Sequence, residues 1–324
     1  MAADDVIERL GPVFDRINQR LMTNLSSDIP YISQVCQYIL LSGGKRIRPA
    51  LFILAARLCG YQGNQDYYYS VIFEHLHAAS LLHDDVVDDS DTRRGQAAAH
   101  VVYGNQGVIL VGDHLVAKAT SLAVETRLLK FLEVLSETAS HLTEGEILEL
   151  LHKRDIEITE AEYERLIYRK TGALIQAACR LGAVFSGARA EYEKSLSDYG
   201  GKVGQAFQMI DDVLDYSTTA SELGKPVGHD LEEGKITLPV ILTLDQADNA
   251  DRSEFRDLIL KEKRSPGEFT RVKALIDKYQ GLEQTREKAK HLVTEAKDCL
   301  AVFPERQEKK DLCDLADFIV TRRK

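Results

Sequence analysis

Three observations on the 324-residue chain predict an all-α fold. Leu, Ala, Glu, Lys and Arg dominate over β-branched alternation, and apolar residues recur at helical spacing. Glycine and proline are sparse, 21 and 7, so helices meet few breakers. No Pro-, Ser- or Gly-rich stretch divides the chain. One large helical domain over residues 1–324 is therefore favoured over the two that length alone would permit.

Residues 4–25 read as an amphipathic helix, broken at Asp28-Ile29-Pro30. A short helix over 31–41 ends at Ser42-Gly43-Gly44, and Pro49 suits the first turn of the next helix. Lys45, Arg46 and Arg48 then enter a helix N-terminus, where backbone N–H groups, the helix dipole and three cations favour an anion. A solvated basic turn fits the same spacing. A helix over 67–91 follows, then two more over 99–150, with Gly112-Asp113 in the first and Glu144-Gly145-Glu146 in the second. Residues 159–185 read as a helix interrupted by Gly172, which costs about 1 kcal/mol there and marks a close backbone approach or a kink. A helix over 190–216, a Gly- and Lys-rich loop with Lys225 and Lys235, and four or five shorter helices over 237–322 complete the chain.

Two of these helices close with the same pattern, D-D-x-x-D. Asp84, Asp85 and Asp88 end one, and Asp211, Asp212 and Asp215 end the other. Residues i and i+4 stack on one helix face with i+1 beside them, so each triplet gathers carboxylates at a helix end. A helix C-terminus is already partly negative, and each acid there costs a few tenths of a kcal/mol or more. A divalent cation or the following Arg93/Arg94 pair has to compensate. His77 lies two turns before Asp84 on nearly the same stripe, and His83 adjoins the acids. Ala79 and Ser80, small residues in a bulky run, lie about one turn below Asp84; they suit either close helix packing or a tunnel wall left open. Gln208 shares a face with Asp212.

The formal net charge of −10 argues against nucleic acid as the main partner. Five scattered cysteines without a CxxC read as reduced thiols of a cytoplasmic protein. With no leader-like segment and no uninterrupted 18-residue apolar run, the chain is expected to be soluble or at most peripheral to a membrane.

Hard oxygen donors without thiols favour Mg²⁺ or Ca²⁺ over zinc. Mg²⁺ commonly takes one or two carboxylates plus phosphate oxygens and water, so two facing Asp clusters suit ions gripping a diphosphate. No Ser-His-Asp set, Walker loop or HExxH stands out. The chemistry expected of these residues is metal-assisted loss of diphosphate.

At this point the chain resembles the trans-isoprenyl diphosphate synthases, or polyprenyl synthetases. The resemblance is carried by G-G-K-R-I-R-P (43–49), L-L-H-D-D-V-V-D-D-S-D-T-R-R-G (81–95), K-T-G (170–172), G-Q-A-F-Q-M-I-D-D-V-L-D (204–215) and G-K-P-V-G-H-D-L-x-x-G-K-I-T-L-P (224–239). It implies an all-helical single-domain bundle of the isoprenoid synthase type with a central active-site cavity, usually a homodimer. The implied reaction is head-to-tail condensation of isopentenyl diphosphate with an allylic diphosphate (farnesyl, geranylgeranyl or dimethylallyl).

By the same resemblance Asp84, Asp88 and Asp211 hold about three Mg²⁺. Asp85, Asp212, Asp215 and Lys170 support catalysis. Arg93, Lys170, Thr171, Gln208, Lys225 and Lys235 hold the allylic diphosphate, and Lys45, Arg48, His77 and Arg94 hold isopentenyl diphosphate. Large residues at the positions of Ala79 and Ser80 block the tunnel early in the family. Their small size here implies a long, octaprenyl-like product, with a floor in the 122–135 stretch around Leu128, Leu129 and Phe131. Products of this kind serve as quinone side chains and imply peripheral membrane contact for release.

Overall fold

The structure is a computed structural model that describes residues 2–25, 27–217 and 228–322. It is all-α as predicted, apart from one two-stranded ladder.

The helix predicted over 4–25 is two, α1 (Ala2–Arg9) and α2 (Gly11–Asn24). Pro12 lacks the N–H that would continue the ladder and crowds the carbonyl four residues back, so Gly11-Pro12 starts a new helix. After α3 (Pro30–Leu41), the loop runs through Gly43 and Gly44, both at positive φ, to Arg46 at φ 52°. There α4 (Ile47–Leu58) begins, with Pro49 in its first turn as expected.

Helix α5 (Gln65–Val87) carries the first triplet in its last turn, with Asp88 as its C-cap. The chain then makes a two-residue hairpin: strand β1 (Thr92–Arg93) pairs antiparallel with β2 (Gln96–Ala97) around Arg94 and Gly95, both at positive φ. The region predicted as two helices is three, α6 (Ala99–Tyr103), α7 (Asn105–Glu125) and α8 (Leu129–Leu151). Gly104, at φ 82°, separates the first two.

Helix α9 (Glu160–Ile167) opens with a capping box between Thr159 and Glu162. It widens into one π-turn (Tyr168–Gly172) before α10 (Ala173–Phe185). Helix α11 (Ala190–Ser217) ends on the second triplet. Helices α12 (His229–Glu233), α13 (Leu238–Gln246), α14 (Asn249–Ile259), α15 (Pro266–Lys278), α16 (Gly281–Cys299) and α17 (Gln307–Thr321) follow.

Two buried apolar clusters hold the bundle. The larger joins α4, α5, α10, α11 and α16, and at its heart Phe52 meets Phe73, Phe131 and Phe185 at ring separations of 5.3, 6.2 and 5.6 Å. The smaller packs α3, α5 and α7 around Ala79, Leu82, Val108 and Leu115. Three helices touch backbone to backbone at the π-turn. A Cβ on Gly145 of α8 would lie 2.5 Å from the Lys170 nitrogen, and one on Gly204 of α11 would lie 2.6 Å from Gly172 Cα. Close approach and local distortion at Gly172, the two alternatives in the sequence, are both present.

By length and composition alone, α7 is apolar enough to cross a membrane, although Asp113 and Lys118 interrupt its apolar run. One side of it packs on α5, while Ile109 and Leu110, with Val101 and Val102 of α6, are exposed.

Candidate active site

The two triplets face one cavity, and each divides its labour. Asp84, Asp88 and Asp211 line a cavity of about 280 Å³ together with Lys170, Gln208 and Lys235. The remaining acids turn elsewhere. Asp85 is buried and accepts from Arg93 Nε at 2.6 Å. Asp212 accepts from Tyr163 Oη at 2.6 Å and from Gln208 Nε2 at 2.9 Å, and Thr171 Oγ1 donates to Gln208 Oε1 at 2.7 Å. Asp215 accepts from the backbone N–H groups of His229 and Asp230, both at 3.2 Å, and so anchors the first turn of α12. Of the two predicted compensating arginines, only Arg93 neutralises an acid of its own triplet; Arg94 donates to the Gly43 carbonyl instead.

The acids of both triplets are held at a cost. Burial, then Glu146 nearby, pushes the Asp84 carboxyl up to about 7. Burial, then Asp230, pushes Asp212 and Asp215 up to about 8. Burial also raises Asp211, against the pull of Arg322, Arg48 and Lys45. Among the described residues no three acidic, His or Cys side chains converge on a point to form a closed metal cage. Carboxylate oxygens on two walls of one cavity, too few to make a full ligand set, fit a divalent ion that draws its other ligands from water or a bound phosphate.

A second cavity of about 350 Å³ adjoins the first and shares Arg48, His77, Leu81, Arg93, Phe207 and Asp211 with it. Lys45 and Arg94 complete the set assigned in the sequence to a second anion. Nε of Arg48 is buried without a hydrogen-bond partner among the described residues. Burial and the surrounding arginines, Arg48 and Arg94 first, hold His77 far below the usual imidazole range, so it is neutral. Arg46, the third cation of the loop, is committed to the fold. It donates to Glu74 at 2.8 Å and to Asn18 at 2.9 Å. Lys225 lies outside the described residues.

Lys170 and Lys235 are already paired with acids. Lys170 Nζ lies 3.0 Å from Glu146 and 2.6 Å from Glu149; Lys235 Nζ lies 2.7 Å from Glu233, 3.1 Å from Asp88 and 3.3 Å from Glu149. Glu146, Glu149, Tyr163, Asp230 and Arg322 all escaped the sequence as site residues. Glu146 and Glu149, one helical turn apart on α8, carried the clearest signal, since i and i+3 share a face. Near the chain-length positions, Ser80 opens on the cavity while Ala79 is buried against α7. Of the three floor candidates, Phe131 is fully buried against Phe52, Leu128 is partly buried, and Leu129 is 71 % exposed, on the outside of the bundle.

This constellation has close counterparts. The family model for polyprenyl synthetases matches residues 29–276. The chain is 38 % identical over 322 residues to the octaprenyl diphosphate synthase of Haemophilus influenzae, covering 99 % of this chain and 98 % of that one. It is 40 % identical over 306 residues to the octaprenyl diphosphate synthase of Escherichia coli, covering 94 % of each. A crystal structure of a polyprenyl synthase from Caulobacter crescentus, complexed with calcium and isoprenyl diphosphate, superposes with a TM-score of 0.94 at 36 % identity, over 99 % of this chain and 98 % of that one. The paired acid walls, the adjoining basic cavity and the whole-length match agree: the chain belongs to the polyprenyl synthetase family.

Proposed function

We propose that this enzyme, a trans-prenyltransferase, joins isopentenyl diphosphate head to tail with an allylic diphosphate and extends the product to an octaprenyl-like, all-trans polyprenyl diphosphate. One observation carries the assignment. The cavity lined by Asp84, Asp88 and Asp211 opens into the cavity lined by Lys45, Arg48, His77 and Arg94, with Arg48 and His77 common to both. Two diphosphates fit side by side there, one facing acids and one facing bases.

Asp84, Asp88 and Asp211 would hold Mg²⁺, about three ions by family likeness. When bound, the metal neutralises the departing diphosphate. Lys170, with a donor hydrogen left after Glu146 and Glu149, and Lys235 reach the same oxygens. Lys45, Arg48 and Arg94 fix isopentenyl diphosphate, and neutral His77 adds a hydrogen bond without another charge. The allylic C1–O bond breaks with its electron pair leaving on diphosphate. The isopentenyl double bond supplies the pair for the new C–C bond, and a proton lost to the released diphosphate restores an alkene. Leu81 and Phe207, the apolar side chains common to both cavities, help keep water from the cation.

Ser80 leaves room beside Asp84 for a growing chain, and the Phe131–Phe52 contact offers a floor deeper in the bundle. The unpartnered face of α6 and α7 suits a second copy of the chain, in keeping with a homodimer; the exposed Val101, Val102 and Leu110 would be covered there. We take residues 1–324 as one domain of a cytoplasmic enzyme that meets a membrane only to release product, which would serve as a quinone side chain.

The test is a product assay with Mg²⁺, labelled isopentenyl diphosphate and farnesyl diphosphate. Octaprenyl-like products that shorten in Ser80→Phe support the assignment, whereas Ala79, buried against α7, is a packing position. Products stopping at farnesyl or geranylgeranyl length keep the reaction and refute the tunnel. No product, or unchanged transfer in Asp84→Ala, refutes the mechanism.

A further inference from the structure

Lys170 and Lys235 come from different parts of the chain, the π-turn and the segment after α12, yet they meet at one atom. Oε1 of Glu149 lies 2.6 Å from Lys170 Nζ and 3.3 Å from Lys235 Nζ. Two ammonium groups this close repel, and a carboxylate oxygen between them is what holds them together. Their other partners pull them apart: Glu146 draws Lys170 along α8, and Glu233 draws Lys235 back toward α12. Asp88, the remaining partner of Lys235, lines the cavity. The site is also built to let α8 approach. Gly145, one turn before Glu149, has no side chain to separate α8 from the Lys170 backbone.

Resting on the prenyl-transfer assignment above, we propose that Glu149 is a positioning residue for the allylic diphosphate: its single bridging oxygen sets Lys170 and Lys235 side by side, so that both reach one diphosphate group. Glu149 itself touches no substrate. It is partly shielded, at 18 % side-chain exposure, and acts through the two lysines. Losing its charge leaves each ammonium to its outer partner and widens the gap between them. Isopentenyl diphosphate, held by Lys45, Arg48 and Arg94 in the adjoining cavity, whose lining includes neither lysine, depends on neither of them.

The experiment compares the full-length enzyme with Glu149→Gln and Glu149→Asp. Binding of farnesyl S-thiolodiphosphate, whose C–S bond resists ionisation, is measured by calorimetry with Mg²⁺. The two KM values and kcat are measured alongside. In Glu149→Gln, binding of the thio-analogue weakens about tenfold and the allylic KM rises to match, while the isopentenyl KM stays within about twofold. Glu149→Asp keeps the charge and recovers part of the loss; if the Gln variant fails to fold, the same split in the Asp variant, smaller in size, carries the test. Unchanged binding in Glu149→Gln overturns the proposal, as does an equal rise in both KM values, which is the mark of general damage. If the unmutated enzyme does not bind the analogue, the functional assignment falls and this role with it. Wild-type binding that survives Glu149→Gln sinks the positioning role alone.

Discussion

Arg322 donates to Asp211 at 2.6 Å while its guanidinium lies 4.0 Å from the centre of the Phe207 ring. A cation from the end of α17 thus occupies the one acid of the second triplet that faces both cavities. Any metal drawn to Asp211 has to compete with it. Partly exposed ion pairs contribute up to about 1 kcal/mol, so Arg322→Ala should lower the Mg²⁺ concentration for half-maximal rate by about twofold to fivefold. A metal titration of initial rates checks this, and an unchanged midpoint would separate Arg322 from metal binding.

Asp84 is costly to the fold, and the prenyl transfer proposed above would need it. Its carboxyl is pushed up to about 7 by burial and Glu146, so at pH 8 the folded protein carries a charge it disfavours. Asp84→Asn removes that charge. The metal-free variant should melt about 1–2 °C higher than the parent at pH 8, while turnover falls by at least about 10³-fold. Melting curves in a chelating buffer and a product assay separate the two effects.

Gly145 and Gly267 make a matched pair. A methyl group at 145 would strike the Lys170 backbone at 2.5 Å, whereas at 267, near the start of α15, it meets nothing within 4 Å. Gly145→Ala should cost about 1–3 kcal/mol in denaturant unfolding and depress activity through Lys170. Gly267→Ala should be neutral or stabilising by up to about 1 kcal/mol.

His75 is fully buried, and neither ring nitrogen has a hydrogen-bond partner among the described residues. Burial, with Lys118 and His114 adding, pushes its pKa down to about 3. The unfolded chain takes up this proton near pH 6.5 and the folded chain does not, so the contribution is intact above pH 6.5 and stability is lost as pH falls below it. His75→Leu should flatten the acid limb of the stability profile between about pH 6.5 and 4. Parallel slopes for parent and variant would show that His75 is not the group responsible.

The helix ends were legible because an acid at a helix C-terminus is unfavourable enough to stand out, and Asp84, Asp88 and Asp211 do face one cavity. The basic loop was legible in type but not in detail. Spacing put Arg46 with Lys45 and Arg48, and only the left-handed backbone at Arg46, which turns its side chain back to Glu74, removes it. Tyr163 was hidden because its partner, Asp212, is distant in sequence and nothing local marks it, whereas Glu149 was marked only by Glu146 one turn before it. The break at Leu10 is marked by Gly11-Pro12, a signal that the reading of 4–25 as one amphipathic helix leaves unused.

The π-turn at Tyr168–Gly172 is a register shift written into one helix. A π-turn accommodates an extra residue within an α-helix, at some expense in hydrogen-bond geometry. Excising one residue, such as Tyr168, would let α9 and α10 fuse into a smooth rod. The flanking turns would keep their present faces, but the residues inside the turn would be re-aimed, and Lys170 would lose its alignment with Glu149 and the cavity. A chain shortened in this way should fold more firmly and transfer nothing, so a screen for thermal stability alone would select against the catalyst.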